Sequence, residues 1–246
     1  MADDFKIAQP HQYHRLFLRE SIRPDGRAVT ACRDIKLHVN SVSTALGSAM
    51  VCFGDTRVIA GIKGRFAEPD IARPGQGFLV PNVTLSALCN SKYRPGMPCD
   101  GAVAMSHRLA SVLEKAVPRE QLCIRKGRVA WCLYLDVVCL NDDGNVWDAV
   151  LLAASAALKS AVLPATQHVA ETEVVAVDRE VQGSRLQMSY TPVSVTLSGE
   201  DCFTPFQSLS SFYNRFTPLF FYSLSVSHHS ISFPSPLHPI HSLPSI

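Results

Sequence analysis

Apolar and polar residues alternate through the first half of the chain with the period of two that half-buried β-strands show. Two glycine-containing turns, A-L-G-S at 45–48 and F-G-D-T at 53–56, interrupt this alternation. Further along, a long apolar run around Trp131 indicates a buried strand. The pattern predicts strands over residues 35–42, 49–53, 56–62, 78–85, 131–140, 171–177 and 192–197.

Three other segments have helical spacing. Residues 11–20 predict a short amphipathic helix. A second helix is expected to begin at Asp100, whose side chain can cap it, and to end at Pro118. Residues 148–162 are apolar nearly all round and rich in alanine, which is typical of a buried helix that its neighbours approach closely. Strands mixed with two core-facing helices predict an α+β (α/β layered) domain.

The composition changes abruptly near residue 202. The preceding part holds 22 of the 23 lysines and arginines and all 21 acidic residues, whereas the remainder has one formal charge, Arg215, with eleven serines and six prolines. Such a Ser/Pro/Phe-rich tail has no sustained helical or strand period, so we expect it to be disordered and outside the folded domain. A membrane-touching segment at 216–226 is the alternative, although the basic flanks of a surface anchor are missing.

The overall charge and the cysteines narrow the classes of protein further. A net charge of +2 gives no global attraction to nucleic acid, so any RNA contact must be local. None of the eight cysteines forms a C-x-x-C pair, and several lie in apolar runs, which favours free thiols in a reducing compartment. The first ten residues resemble no signal peptide and no run of about 18 apolar residues occurs. We therefore expect a cytosolic or nuclear protein without a membrane partner.

Two short basic motifs are candidate RNA contacts. S-K-Y-R-P-G at 91–96 combines two cations with an aromatic ring, the residue types that bind phosphate and stack on bases. R-K-G-R at 125–128 is a second basic cluster. For each motif, an ordinary solvated loop is the alternative that the sequence favours over an RNA contact. The candidate RNA-binding residues are Lys92, Tyr93, Arg94, Arg125, Lys126 and Arg128.

An acidic turn separates the strand at 131–140 from the alanine-rich helix. A strand-to-helix turn presents free N–H groups to a phosphate, but Asp142, Asp143 and Asp148 would repel one here. These three carboxylates could hold a magnesium ion, since Mg²⁺ prefers oxygen ligands. Helix capping and a favourable interaction with the helix dipole explain the same acids without a metal.

The order and spacing of these motifs resemble the RNase PH family, and within it the catalytically silent ring subunits of the eukaryotic RNA exosome. The resemblance covers residues 5–198 or so and is specific as a set. It is carried by F-L-R-E-S-I-R-P-D-G-R (17–27), S-V-S-T-A-L-G-S-A-M-V (41–51), F-G-D-T-R-V-I-A-G-I-K (53–63), L-V-P-N-V-T-L-S-A-L-C (79–89), L-C-I-R-K-G-R-V-A-W-C-L-Y-L-D-V-V-C-L (122–140) and D-G-N-V-W-D-A (143–149).

The resemblance implies a β-α-β-α domain over residues 1–198 that is incomplete at its C-terminus, followed by a divergent tail over 199–246. It also implies a six-membered ring of related subunits, three RNA-binding cap proteins above it, RNA in the central channel, and a place in the nucleus, nucleolus and cytoplasm. Without the remaining strands and helices of the family domain, we expect exposed apolar surface, which costs about 25 cal/mol per Å². We therefore expect a truncated isoform that folds only partly or is unstable outside its complex.

The same resemblance implies that the chain is not an enzyme. Phosphorolytic members place Gly-Thr-Arg at the turn before the buried helix, and that arginine holds the attacking phosphate. Here the corresponding residues are Gly144, Asn145 and Val146, and valine offers neither charge nor donor. The later acidic residue of active members finds no counterpart either. No catalytic residue, metal or cofactor is therefore expected; an active phosphate-dependent exoribonuclease and an assembly-defective isoform are the alternatives.

Overall fold

The computed structural model describes residue 5 and residues 7–29, 31–168, 175–178, 183–197 and 222–226. Its helices are α1 (Pro10–Arg19), α2 (Asp100–Ala116) and α3 (Val146–Ser160), with a 3₁₀ turn at Arg119–Leu122. The strands are β1 (Ile35–Val39), β2 (Gly47–Phe53), β3 (Thr56–Ala67), β4 (Phe78–Leu85), β5 (Cys123–Arg125), β6 (Val129–Asn141), β7 (Val162–Leu163), β8 (Ala165–His168), β9 (Val175–Asp178), β10 (Ser184–Arg185), β11 (Val193–Leu197) and β12 (Tyr222–Val226).

The first six strands form one mixed sheet in the order β1-β2-β3-β6-β4, and β5 pairs with the beginning of β6. Strand β4 runs parallel to β6, and the other pairings are antiparallel. The β2–β3 hairpin turns through Gly54 and Asp55, and Gly54 has the positive φ of 62° that a tight turn requires. The predicted F-G-D-T turn is thereby confirmed.

One face of this sheet carries the core. The register aligns Ala49, Ala60 and Val137 across three strands, and all three are fully buried. Helix α3 packs on this face against β2, β3 and β6. It approaches so closely that a β-carbon on Gly47 would lie 2.6 Å from the carbonyl oxygen of Ala157. The prediction of a buried, alanine-rich helix is confirmed, since twelve of its residues are buried.

Helix α2 covers β4 and adds to the same core. Leu109, Leu113 and Ala116 are fully buried, as the helical spacing predicts. The prediction that Asp100 caps this helix is wrong. The N-cap is Cys99, and Asp100 lies in the first turn, where its charge interacts favourably with the helix dipole.

The remaining helices and strands differ from their predictions mainly in the residues at which they begin and end. Helix α1 and strand β4 match their predictions to within one residue, whereas β3 is five residues longer than predicted because it pairs along most of β6. Strand β9 overlaps the strand predicted over 171–177, of which residues 171–174 lie outside the described residues. The short strand β5 was not predicted.

Most of the predicted tail lies outside the described residues. Within it, Tyr222–Val226 forms β12, which pairs in parallel with β11. The domain boundary at 198 and 199 therefore stays a prediction, as does the disorder of the tail. None of the helices in the described ranges has the length and apolar character needed to cross a bilayer. All seven described cysteines are free, and three of them are buried.

Candidate functional site at the turn between β6 and α3

The backbone of the turn at 142–145 is satisfied from within the protein. The amide of Asp143 donates to Thr56 Oγ1 at 3.1 Å, and the amide of Gly144 donates to Asp142 Oδ1 at 3.0 Å. The Thr56 hydroxyl donates in turn to the Gly144 carbonyl at 2.7 Å, and Thr56 is fully buried. Two of the N–H groups that a phosphate could use in such a turn are therefore already occupied.

The beginning of α3 carries its own carboxylate. Asp148, in the first helical turn, accepts hydrogen bonds from Asn145 Nδ2 at 2.8 Å and from Ser194 Oγ. Thr196 Oγ1 lies 3.1 Å from both Asp148 Oδ1 and Asn145 Oδ1. Asn145 is the N-cap and adopts the left-handed conformation with φ 56°, but its side chain makes no capping hydrogen bond. The acid thus interacts with the helix dipole, as predicted, while side-chain capping does not occur here.

A second network ties the loop at 89–94 to the same turn. Asp142, whose side chain is 3% exposed, receives Lys92 Nζ at 2.5 Å and the Tyr93 hydroxyl at 3.0 Å on one oxygen. Its backbone carbonyl accepts from Asn90 Nδ2 at 3.3 Å, and its backbone amide donates to the Cys89 carbonyl at 3.1 Å. Lys92 also lies 4.9 Å from the centre of the Tyr93 ring.

These contacts change the ionisation of the groups involved. Burial opposes the charge on Asp142, but the Lys92 ammonium, the Gly144 amide and the Tyr93 hydroxyl outweigh it and lower the pKa of this carboxyl. Burial likewise opposes the charge on Lys92, yet its bond to Asp142 raises the lysine pKa. Nearby, burial and the neighbouring Cys89 raise the pKa of the Cys139 thiol to about 12, so it stays protonated.

The three acids of the turn have different protein partners. Asp142 faces Lys92, Asp148 faces the hydroxyls of β11, and Asp143 pairs with Arg33 at 3.3 Å. The Arg33 guanidinium also donates to the Gly144 carbonyl at 3.3 Å. No group of three potential metal ligands occurs among the residues that the structure describes. The arrangement therefore gives no support to the magnesium interpretation of these acids.

The structure separates the two predicted RNA-binding motifs. The loop at 91–94 lies beside the turn after β6, whereas R-K-G-R forms the hairpin between β5 and β6, before β6 begins. Strand β6 has 13 residues, so at about 3.3 Å per residue the two motifs are roughly 40 Å apart. Arg94 is exposed and forms no ion pair with any described residue, in contrast to Lys92.

Sequence reasoning missed Arg33, Thr56, Ser194 and Thr196, all of which contact the turn or the acids beside it. They come from segments 46 to 111 residues distant along the chain from their partners. A lone hydroxyl or arginine in a strand carries no local signal of such a contact.

Comparisons with known proteins decide the family. The model of the 3′ exoribonuclease family, domain 1 (RNase PH), matches residues 31–164, which is more than half of the chain. The chain belongs to this family. The match includes the whole six-stranded sheet, helices α2 and α3, and the acidic turn between β6 and α3. The RNase PH-type fold predicted from the motifs is thereby confirmed.

Individual relatives of this RNase PH-family chain are exosome proteins. It is 41% identical over 162 residues to exosome complex component rrp43 of Schizosaccharomyces pombe, covering 65% of this chain and 60% of that protein. It is 33% identical over 186 residues to exosome complex component Rrp42 of Aeropyrum pernix, covering 75% and 67%. The chain thus spans about 60 to 67% of the length of these relatives.

Solved exosome structures share its fold. An Archaeoglobus fulgidus exosome with RNA bound to the active site matches with a TM-score of 0.64 and 30% identity, covering 74% of this RNase PH-family chain and 68% of that chain. An archaeal exosome core matches with a TM-score of 0.62 and 28% identity, covering 78% and 70%.

Proposed function

We propose that this chain is a non-catalytic subunit of an RNA exosome ring, and that it supports 3′-to-5′ RNA processing and degradation by filling one ring position and contacting the RNA. The similarity to exosome components over most of the chain supports the ring position. The partners would be other RNase PH-like ring subunits, RNA-binding cap subunits and RNA. The places of action would be the nucleus, the nucleolus and the cytoplasm.

The observation that carries the non-catalytic assignment is the content of the β6–α3 turn. Val146 is 6% exposed where phosphorolytic members of the family carry a phosphate-binding arginine. An arriving phosphate would find two amides already bonded and the Asp148 carboxylate at the start of the helix. Because the Asp148 carboxylate would repel an anion there and Val146 offers no donor to hold it, the content of this turn supports a chain without phosphorolytic activity.

The RNA contacts of this subunit would be local. Lys92, Tyr93, Arg94, Arg125, Lys126 and Arg128 are the candidates from the sequence. The internal pairing of Lys92 and Tyr93 with Asp142 favours Arg94 and Lys126 among them.

One reconstitution experiment tests both parts of the proposal. The tagged full chain and a form without residues 199–246 would be co-expressed with the other ring subunits and purified through the tag. The full chain should retain the ring subunits. The isolated full chain, incubated with single-stranded RNA and inorganic phosphate, should release no nucleoside diphosphates, whereas an active family member should release them under the same conditions.

The outcomes separate the alternatives. Phosphate-dependent release of nucleoside diphosphates by this chain alone would restore the active-enzyme interpretation. Failure of both forms to retain ring subunits would favour an assembly-defective isoform. Retention by the full chain but not by the shortened form would show that the tail, which contributes β12 to the pairing with β11, is needed for assembly.

A further inference from the structure

A pocket of about 550 Å³ lies at the end of the sheet opposite the acidic turn. One wall is the loop between β3 and β4, with Arg73, Pro74 and Gln76. The other wall is formed around strand β5, with Glu120, Ile124 and Lys126. We call this the basic pocket. It brings Lys126 of the R-K-G-R motif together with Arg73, which lies 53 residues earlier in the chain and has no local pattern that links the two.

Backbone contacts fix the two walls relative to each other. The amide of Gly127 donates to the Pro74 carbonyl at 2.8 Å, and the amide of Gly77 donates to the Arg119 carbonyl at 3.0 Å. At Gly77 the walls touch so closely that a β-carbon would lie 2.5 Å from both Leu122 Cβ and the Trp131 carbonyl oxygen. The basic pocket is therefore a framed cleft and not a gap between independent loops.

The two cations of the basic pocket are available to a ligand. Arg73 and Lys126 are exposed, and within the described part of the chain neither forms an ion pair. The lysine stem passes over Gly75, where a β-carbon would lie 3.8 Å from Lys126 Cε. Glu120, the carboxylate among the described residues that line the pocket, accepts a hydrogen bond from Gln76 Nε2 at 2.9 Å.

The size and chemistry of the cleft suit one type of ligand. A volume of this order accommodates a group the size of a nucleotide, and Pro74 and Ile124 offer an apolar wall beside the cations. An arginine binds phosphate oxygens with paired N–H donors, and a lysine adds a mobile point charge. We infer that the basic pocket binds one nucleotide of single-stranded RNA, with the phosphate on Arg73 and Lys126 and the base against Pro74 and Ile124. This inference rests on the proposed function as an RNA-contacting subunit.

The test compares two charge-matched double variants of the full chain. Arg73→Gln with Lys126→Gln removes the cations of the pocket, and Lys36→Gln with Lys63→Gln removes two exposed cations of the sheet. Binding of a labelled single-stranded RNA would be followed by fluorescence anisotropy over a range of salt concentrations. The pocket variant should bind about tenfold more weakly, and its slope of log K against log salt should fall by about 0.7 for each lost phosphate contact. The control should change less than twofold, and thermal melting should show both variants folded.

A cross-linking arm locates the contact directly. RNA that contains 4-thiouridine should cross-link to peptides covering 73–76 or 120–126 in the wild type and lose that cross-link in the pocket variant. Equal loss of affinity in both double variants, or cross-links elsewhere, would overturn the inference and leave the RNA-contacting function standing. If neither the free chain nor the reconstituted ring bound RNA, both the inference about the pocket and the proposed RNA-contacting function would be wrong. Displacement of the RNA by a phosphoserine peptide or by inorganic phosphate at constant ionic strength would show that the pocket binds phosphate without selecting RNA.

Discussion

The loop at 89–94 and the basic pocket both contain exposed cations, but the two regions differ in whether a carboxylate neutralises those cations. In the loop, the Lys92 ammonium lies 2.5 Å from a carboxylate that is 3% exposed, so its charge is neutralised within the protein. In the basic pocket, Arg73 and Lys126 have no carboxylate partner among the described residues. On the inference that the basic pocket binds RNA, a basic motif indicates a phosphate site only when no acid elsewhere in the fold neutralises it.

The largest expected effect comes from breaking the loop network at its centre. Asp142→Ala leaves the Gly144 amide, the Tyr93 hydroxyl and the Lys92 ammonium without their acceptor, so the free energy of unfolding should fall by about 3 kcal/mol. Denaturant titration measures this loss, and at temperatures where the variant is folded its RNA affinity should not fall, because the substitution releases the Lys92 charge and leaves the basic pocket intact. Asp143→Ala is the matched control. Its side chain is 57% exposed and pairs with Arg33, so its loss should be within about 0.5 kcal/mol. Equal losses in the two variants would contradict the central role of Asp142.

A smaller effect is expected from disturbing the frame of the basic pocket. Gly77→Ala forces a methyl group into two contacts of 2.5 Å, so the walls must separate and the free energy of unfolding should fall by about 2 kcal/mol. RNA affinity should fall with it, in contrast to Asp142→Ala. Gly75→Ala is the control, because its methyl group would meet Lys126 at an ordinary 3.8 Å. Unchanged RNA affinity in a folded Gly77→Ala protein would show that the frame does not position the cations.

The same contrast explains what the sequence could predict. Periodicity located the strands of the sheet and the buried helix α3, because burial on one face repeats every two or 3.6 residues. Periodicity could not predict the ion pair of Lys92 with Asp142, because Asp142 lies 50 residues further along the chain and comes near only when β4 and β6 pair. It missed Arg73 for the same reason, since the contact of Pro74 with Gly127 spans 53 residues. Local patterns therefore predicted the core well but not which residues contact the loop at 89–94 or line the basic pocket, because those contacts join residues that are distant along the chain.

The smallest effect is expected when Lys92 and Arg94, the two cations of the loop, are substituted one at a time. Lys92→Met should lower the free energy of unfolding by about 1 kcal/mol at pH 7, because the lysine side chain is 57% exposed and solvent screens part of its charge. Arg94→Met should leave stability unchanged within about 0.5 kcal/mol and should weaken RNA binding more than Lys92→Met does. Equal effects of the two substitutions on both readouts would show that the pairing with Asp142 does not decide which cation faces a ligand.

The pH dependence identifies the partner of Lys92. The folded-state pKa of Asp142 lies below the ordinary 3.8, so its stabilisation is fully present above that pH and is lost as the pH falls through the lower, folded value. Without the ammonium of Lys92, Asp142 should take up its proton at a higher pH. The stability difference between wild type and Lys92→Met should therefore be constant from about pH 5 up to the high pH at which Lys92 loses its proton, and should close as the pH falls below 3.8, which chemical denaturation at a series of pH values measures. A gap that persists at low pH would mean that Lys92 acts through its packing on the Tyr93 ring and not through the charge of Asp142.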